Sequence, residues 1–294
     1  MSELTPCLEE EFEIAINDGD NTDLAESSTS IVTVQPGAVA DVIDISEEVD
    51  RTKSFYACFR NDLINARQTS TLREAKLLRI VISQVLQDAT DFKNYKIKVK
   101  DLAKMLDLDP SSMYRDAKKI CEGLHKRYIS IERPDGTWEM FNWVSRSYYD
   151  KSYIHISLSD DLKPFLLQLE RDFTKIQVQE FVKFSSFYGL RIYECLKSEW
   201  KRRYMKVTKF KFDVQHLRLL LDGENKLTTF SHFKQRALVP AVDSINNNDS
   251  ALFDVEMELV TGYKKAVTHV IFHITPRKSM ANDTEDTIAA LSLL

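Results

Sequence analysis

The chain has 294 residues, enough for two ordinary domains, and its 43% apolar and 29% charged composition is that of a water-soluble globular protein. No run approaches the roughly 18 apolar residues of a membrane helix, and the acidic opening MSELTPCLEEEFEIAIND lacks the basic start and apolar stretch of a secretory signal, so a cytoplasmic protein that spans no membrane is expected. The net charge of −5 hides a segregation: residues 1–50 hold 14 acids and no Lys or Arg, residues 279–294 hold three acids and no base, and the stretch between carries all 40 basic residues against 28 acidic ones, as in a nucleic-acid-binding body with acidic tails.

Residues 1–50 are rich in Asp, Glu, Ser and Thr without helical or strand period, and read as a disordered tail in which only Ile31 to Ile45 has the composition to dock. Beyond it one pattern is used twice. In the first copy Thr71 to Gln87 is an amphipathic helix, with Leu78, Val81, Ile82 and Val85 inward and Arg73, Lys76, Ser83, Gln84 and Gln87 on the polar side. A strand over Tyr95–Val99 and a short helix over Asp101–Leu106 follow. Asp109-Pro110 is an N-cap followed by a first-turn proline, which predicts a helix from Ser111 to about Leu124. Strands near Tyr128–Glu132 and Thr137–Val144, joined by the turn Pro134-Asp135-Gly136, and a strand over Tyr153–Leu158 complete the unit. Residues 160–185, with Phe165-Leu-Leu-Gln-Leu169, read as a helical connector.

The second copy repeats the order: a helix over Ser186–Trp200, a strand over Thr208–Phe212, a short helix over Val214–Leu221 and a polar turn containing Asp222-Gly223-Glu224-Asn225. A long helix over Thr229–Asn246 and strands over Phe253–Leu259 and Val267–Ile274 finish it. Helix, strand, helix, turn, helix and β-ribbon is the winged helix-turn-helix order. The expected fold class is α+β: two tandem winged-helix domains with small antiparallel β-wings, at residues 51–165 and 166–278, between acidic tails at 1–50 and 279–294.

A duplex reader offers polar and basic side chains on the outer face of the second helix of each helix-turn-helix, where the major groove distinguishes all four base pairs. On a wheel of about 100° per residue, Met113, Ala117, Ile120, Cys121 and Leu124 form the buried face of the first such helix. Ser111, Arg115, Lys118 and Lys119 lie opposite, with Glu122 an acidic intrusion; the plainer alternative is a solvated basic face. In the second, Phe230, Phe233, Ala237, Ala241 and Ile245 face inward and His232, Gln235 and Arg236 outward, with Val239 between them. Lys234 falls toward the core side, from which its stem can carry the charge out to a phosphate. Pro240 is expected to kink or restart this helix. Lys264 and Lys265 in the second wing, and Lys201-Arg202-Arg203 with Lys206, are candidates for phosphate contacts. The aromatic and basic segment Trp143 to Tyr153 is a weaker one, with Tyr148 and Tyr149 read as packing and rim residues.

No catalytic machinery is expected. None of the seven glycines precedes a lysine, which excludes a Walker A loop. His269 and His273 share a face of one predicted strand but lie about 14 Å apart along it, too far to share a metal. The four cysteines, Cys7, Cys58, Cys121 and Cys195, form no C-x-x-C pair, so neither a disulfide framework, nor a zinc site, nor any cofactor is expected.

Two segments carry a family resemblance. One is Asn61-Asp62-Leu63-Ile64 with the helix beginning at Leu72. The other runs from Leu190-Arg-Ile-Tyr-Glu-Cys-Leu196 through Phe233-Lys-Gln-Arg-Ala-Leu-Val-Pro-Ala241 and Ile245-Asn246 to His269-Val-Ile-Phe272. Over about residues 55–276 the chain resembles the initiator proteins of theta-replicating, iteron-containing bacterial plasmids. The resemblance implies monomers that bind directly repeated origin sites with both winged helices on one face of the duplex. It also implies melting of an adjacent AT-rich region and recruitment of the host replication initiator and replicative helicase. Dimers in equilibrium with the monomer are expected to repress the protein's own gene at an inverted repeat, with the first domain as the dimerisation surface. The basic triplet of the family's second reading helix corresponds to Lys234, Gln235 and Arg236, with Gln departing from an all-basic version. A transcriptional repressor without initiator role would use the same two domains, and a nicking enzyme would need a tyrosine nucleophile such as Tyr149.

Overall fold

The computed structural model describes residues 42–48, 55–86, 88–133 and 135–277, without the side chains of residues 47, 48 and 264. In chain order the elements of the first half are β1 (Val42–Asp44), α1 (Ile45–Glu48), β2 (Tyr56–Arg60), α2 (Asn61–Asn65), β3 (Arg67–Gln68), α3 (Leu72–Ile82), β4 (Asn94–Lys98), α4 (Val99–Met105), α5 (Pro110–His125), β5 (Tyr128–Glu132), β6 (Trp138–Asn142), β7 (Val144–Tyr149) and β8 (Tyr153–Leu158). They are followed by α6 (Lys163–Leu166), β9 (Phe173–Gln177), α7 (Val178–Val182), α8 (Phe187–Arg202), β10 (Lys209–Asp213), α9 (Val214–Leu220), α10 (Phe230–Phe233), α11 (Val239–Asn246), β11 (Phe253–Thr261) and β12 (Val267–Pro276). A π-helical turn, Lys234–Leu238, joins α10 to α11.

Both copies are winged helices. In each, a long helix (α3, α8), a strand (β4, β10), a short helix (α4, α9) and a reading helix (α5, α10–α11) lead into a hairpin (β7–β8, β11–β12). The hairpin's second strand sits in the middle of the sheet, in the orders β4-β8-β7 and β10-β12-β11. The repeat is longer than its sequence signature, because a strand and a short helix, β2–α2 and β9–α7, precede each long helix. These two leading strands pair antiparallel with one another, Cys58 opposite Lys175.

Three expectations change. The connector is not a helix: a 3₁₀ turn and the one-turn α6 give way to β9 and α7. Gln168 and Asp172 adopt φ of 51° and 54°, left-handed conformations that end a helix, so the apolar run Phe165–Leu167 packs inward from a turn. The single strand expected over Thr137–Val144 divides at Trp143. Trp143 and Val144 are adjacent and both buried, which one strand with alternating faces cannot provide unless the chain changes sheet. Accordingly β6 closes a separate sheet in the order β3-β5-β6, and β7 joins the wing.

The third change concerns the stretch assigned to the acidic tail, of which Val42–Asp44 pairs parallel with β4. Asp44 meets Lys96 at 3.2 Å and Ile45 is buried. Residues 1–41, 49 and 50, the tail at 279–294, Gln87 and Pro134 lie outside the described residues.

The long helices also differ from a simple amphipathic reading. Thr71 caps α3 in a capping box with Glu74, and the helix ends at Ile82. Its expected polar side is covered: Lys76, Ser83 and Gln84 are buried, as is Arg79. Burial pulls the Lys76 ammonium down to about 8, and it donates to the Val182 carbonyl at 2.6 Å. What covers the helix is the second copy. Arg79 donates to Glu194 of α8 at 2.5 and 2.7 Å, and Arg191 donates to the same carboxylate at 2.7 Å. The other arm of Arg191 caps the carbonyls of Ile64 and Ala66 at 2.6 and 2.9 Å. None of the three side chains is more than 2% exposed. Burial alone would raise the Glu194 carboxyl, but Arg79 and Arg191 outweigh it and hold it below its ordinary value.

A second buried group knits α7 to α8. Glu180 accepts from Lys197 at 2.7 Å and from the Tyr193 hydroxyl, and burial beside that carboxylate pushes the phenol well up. The segment Leu190–Leu196, which stood out in the sequence, therefore joins the two copies.

Candidate nucleic-acid interface

Each reading helix is built the same way: a capped start, a buried stripe and a close approach at its back. Asp109 caps α5 by accepting from the Ser112 N–H at 2.7 Å, and Pro110 fills the first turn. Met113, Ala117, Ile120, Cys121 and Leu124 are buried, the same five residues the wheel turned inward. Gly123 rests on the start of α3, where an added Cβ would come within 2.1 Å of Glu74 Oε1, and Glu74 also binds Arg127 at 2.6 Å. Asp116 is held by Arg73 at 2.6 Å. These contacts fix the roll of α5, so that Ser111, Arg115, Lys118 and Lys119 are exposed on its outer face. Arg115, itself exposed, lies 3.7 Å from the half-buried Asp116, and Lys118 lies 3.9 Å from Glu122 in open solvent.

Thr229 caps the second reading helix by accepting from the His232 N–H at 3.3 Å. Phe233, Ala237, Ala241 and Ile245 are buried as the wheel required, while Phe230 is half-buried. Pro240 marks a restart, as expected: a new α-helical segment, α11, begins at Val239 with Pro240 in its first turn. Proline has no N–H to give Arg236 and its ring crowds that carbonyl, and the helix widens into a π turn over the residues just before it. The wider turn carries two consecutive buried residues, Ala237 and Leu238. His232, Gln235 and Arg236 are exposed, Lys234 is half-buried and Val239 is 38% exposed. At the back, Gly189 lets α8 approach α11 closely, since a Cβ there would come within 2.8 Å of Ser244. The Ser244 hydroxyl accepts from the N–H groups of Ser185 and Ser186 at 3.0 and 3.1 Å.

In the second wing the Gly262 N–H donates to Ala266 at 2.7 Å, and Lys265 is exposed with a φ of 60°. The side chain of Lys264 lies outside the described residues. Tyr263, which the sequence reading passed over, is 86% exposed at the wing tip; its place in the turn was the available signal. The same holds for Lys151, exposed in the Asp150–Ser152 turn of the first wing.

The run Lys201–Arg203 is not a clamp of three free cations. Glu199 accepts from Arg202 at 2.7 Å and from Arg203 at 3.3 Å. Lys201 is half-buried, and its ammonium is pulled down by burial and by Lys197 and Lys175. Tyr148 stacks on His155 with ring centroids 4.1 Å apart, and Tyr149 donates to the Lys151 carbonyl at 2.9 Å, so both act as packing groups. His273 bonds Glu258 at 2.8 Å and His269 bonds Thr268 at 2.9 Å, and no group of three metal-ligating side chains occurs among the described residues. No helix among them is long and apolar enough to cross a membrane.

A family model for the first winged helix of initiator replication proteins matches residues 58–197, and one for the second winged helix of initiator Rep proteins matches residues 213–274, together more than half of the chain. Among solved structures, the Pi initiator protein in complex with iteron DNA is similar in fold, with a TM-score of 0.62 at 17% identity, over 77% of this chain and 99% of that one. The WH1 domain of MSBI1.176, a replication protein isolated from a multiple sclerosis patient, matches 32% of this chain and 76% of its own at 18% identity, with a TM-score of 0.26. The first model runs on through β9, α7 and most of α8, and the second begins at the end of β10. With two winged helices of the expected architecture, they place the chain in the initiator replication protein family, to which it belongs.

Proposed function

We propose that this protein binds repeated origin DNA through α5 and the α10–α11 helix together and thereby starts replication of the plasmid that encodes it. The observation that carries the reading is the pair of capped, rigidly backed helices, each with a polar and basic outer face, on two winged helices whose long helices α3 and α8 are joined by the buried Arg79–Glu194–Arg191 triad. The Pi initiator, which shares the fold, was crystallised on iteron DNA. In this reading Arg115, Lys118, Lys119, Gln235 and Arg236 face base edges and nearby phosphates, Ser111, His232 and Lys234 flank them, and Lys264 and Lys265 follow the backbone from the wing. Family membership supports recruitment of the host initiator and replicative helicase.

Arg236→Ala is expected to cost about 1–3 kcal/mol on the preferred site and to relax the preference at one base pair. Competition binding against single-base variants of the site measures this, and an equal loss on every sequence would make Arg236 a phosphate contact instead.

The same protein is proposed to repress its own gene as a dimer. Strand β6 ends its sheet, and Trp138 and Met140 on it are 59% and 52% exposed, an open apolar edge that a second copy can complete. Met140→Lys is expected to shift the dimer toward monomer in analytical ultracentrifugation; an unchanged distribution places the dimer contact elsewhere. The whole reading is tested by footprinting the DNA that flanks the gene. A ladder of protected direct repeats is expected, whereas a lone palindrome would mark a repressor without initiator role.

A further inference from the structure

We infer that Arg67 is a positioning residue that couples the two reading helices, an inference that rests on the two-headed DNA binding proposed above. Arg67 lies on β3, outside both helix-turn-helix units. Its guanidinium reaches the turn of the second unit, where Nη2 and Nε donate to Asp222 Oδ1 at 2.8 and 3.3 Å and Nη1 donates to Glu224 at 3.4 Å. Asp222 follows α9 with a φ of 52°, the left-handed step that closes that helix and turns the chain toward α10. Lys226 takes the second oxygen of the same carboxylate.

On the other side, the Arg67 guanidinium stands 5.9 Å from the centre of the Tyr128 ring. Tyr128 opens β5, three residues beyond the last residue of α5. One side chain thus spans from the strand leaving the first reading helix to the turn entering the second, Arg67 and Asp222 being 155 positions apart in the sequence. The contact is partly shielded, with side chains 20% and 12% exposed, unlike the open Lys118–Glu122 pair of α5.

Two readers on one chain help each other only if their separation matches the site. A fixed separation makes the second docking step intramolecular, an avidity gain of roughly 10²–10⁴-fold. The buried triad fixes the long helices, but the second reading helix is reached through the turn at 221–229, and Arg67 holds that turn directly.

The test uses the full chain and the repeat mapped by footprinting, as three duplexes: the intact repeat and two versions with one half scrambled. Arg67→Ala and Asp222→Asn should each weaken binding to the intact repeat at least tenfold. Asparagine tolerates the left-handed backbone that Asp222 adopts. Binding to each half-scrambled duplex should stay within twofold. The double variant should lose clearly less than the sum of the two single losses, because both changes break the same Arg67–Asp222 ion pair. Equal losses on all three duplexes, or an unchanged affinity for the intact repeat, would overturn the role of Arg67 and leave two-headed binding standing. A wild-type protein that binds the intact repeat no better than a half-scrambled one would remove two-headed binding itself. Should Arg67→Ala not fold, the same comparison with Asp222→Asn alone decides.

Discussion

Glu194→Ala is expected to destabilise the protein by about 3–5 kcal/mol, the cost of leaving buried charge without its partner. The single carboxylate serves Arg79 and Arg191 at once, so its removal strands two guanidiniums that are each at most 2% exposed. Domains are stable by only about 5–15 kcal/mol, so this loss takes a large share of the total. In a body of this size it should lower the thermal midpoint by on the order of 10 °C. Urea titration of the two proteins measures it, and a loss below about 1 kcal/mol would mean that the triad does not hold the copies together. A triple variant, Arg79→Met with Arg191→Met and Glu194→Leu, should recover much of the loss by replacing charge with packing. Recovery should be incomplete, because Arg191 also caps the carbonyls of Ile64 and Ala66. The Glu194 carboxyl sits below its ordinary value in the fold, so its contribution is whole above the unfolded pKa and fades as pH falls through the folded one.

Affinity for the origin repeat should fall by roughly 10³–10⁵ between 50 and 200 mM salt if 6–10 phosphates are neutralised, a log–log slope of about −0.9 per phosphate. The overall charge of −5 suggests the opposite, but the cations that matter are local. Arg115 and Lys118 are themselves exposed and reach Asp116 and Glu122 only at 3.7 and 3.9 Å. Exposed pairs of this kind contribute only about 0–1 kcal/mol, so exchanging a carboxylate for a phosphate costs little. Fluorescence anisotropy across the salt series gives the slope. A slope shallower than about −2 would leave too few phosphate contacts for α5, the second reading helix and both wings to lie on one duplex.

What was legible in the sequence follows from which features are local. The buried stripe of α5 and its Asp109-Pro110 start depend on neighbours within a few residues, and both were read correctly. The wheel of the second reading helix located Ala241 and Ile245 beyond Pro240 but missed Leu238, which the π turn brings inward. The polar side given to α3 was wrong at Lys76, Ser83 and Gln84, because composition cannot tell a solvated lysine from one that donates to a carbonyl 106 residues away. The Lys201–Arg203 run was named without its partner: Glu199, four residues before Arg203, shares the helix and accepts from Arg202 and Arg203. Sheet membership was the least legible feature. That β6 and β7 part at Trp143 depends on their pairing with β5 and β8, strands of two separate sheets that no local period assigns.

The pairing of β2 with β9 has a consequence for how this protein divides. Each strand opens one winged helix but is closed by the other, so the two are not interchangeable cassettes that a graft can lift out singly. A chain severed between residues 159 and 172 would yield an amino-terminal piece whose β2 has lost its paired strand, with the hydrogen-bonding groups of Tyr56–Arg60 open to any passing strand. Stickiness in such a fragment would reflect the missing half of a shared seam and would say nothing of the intact molecule.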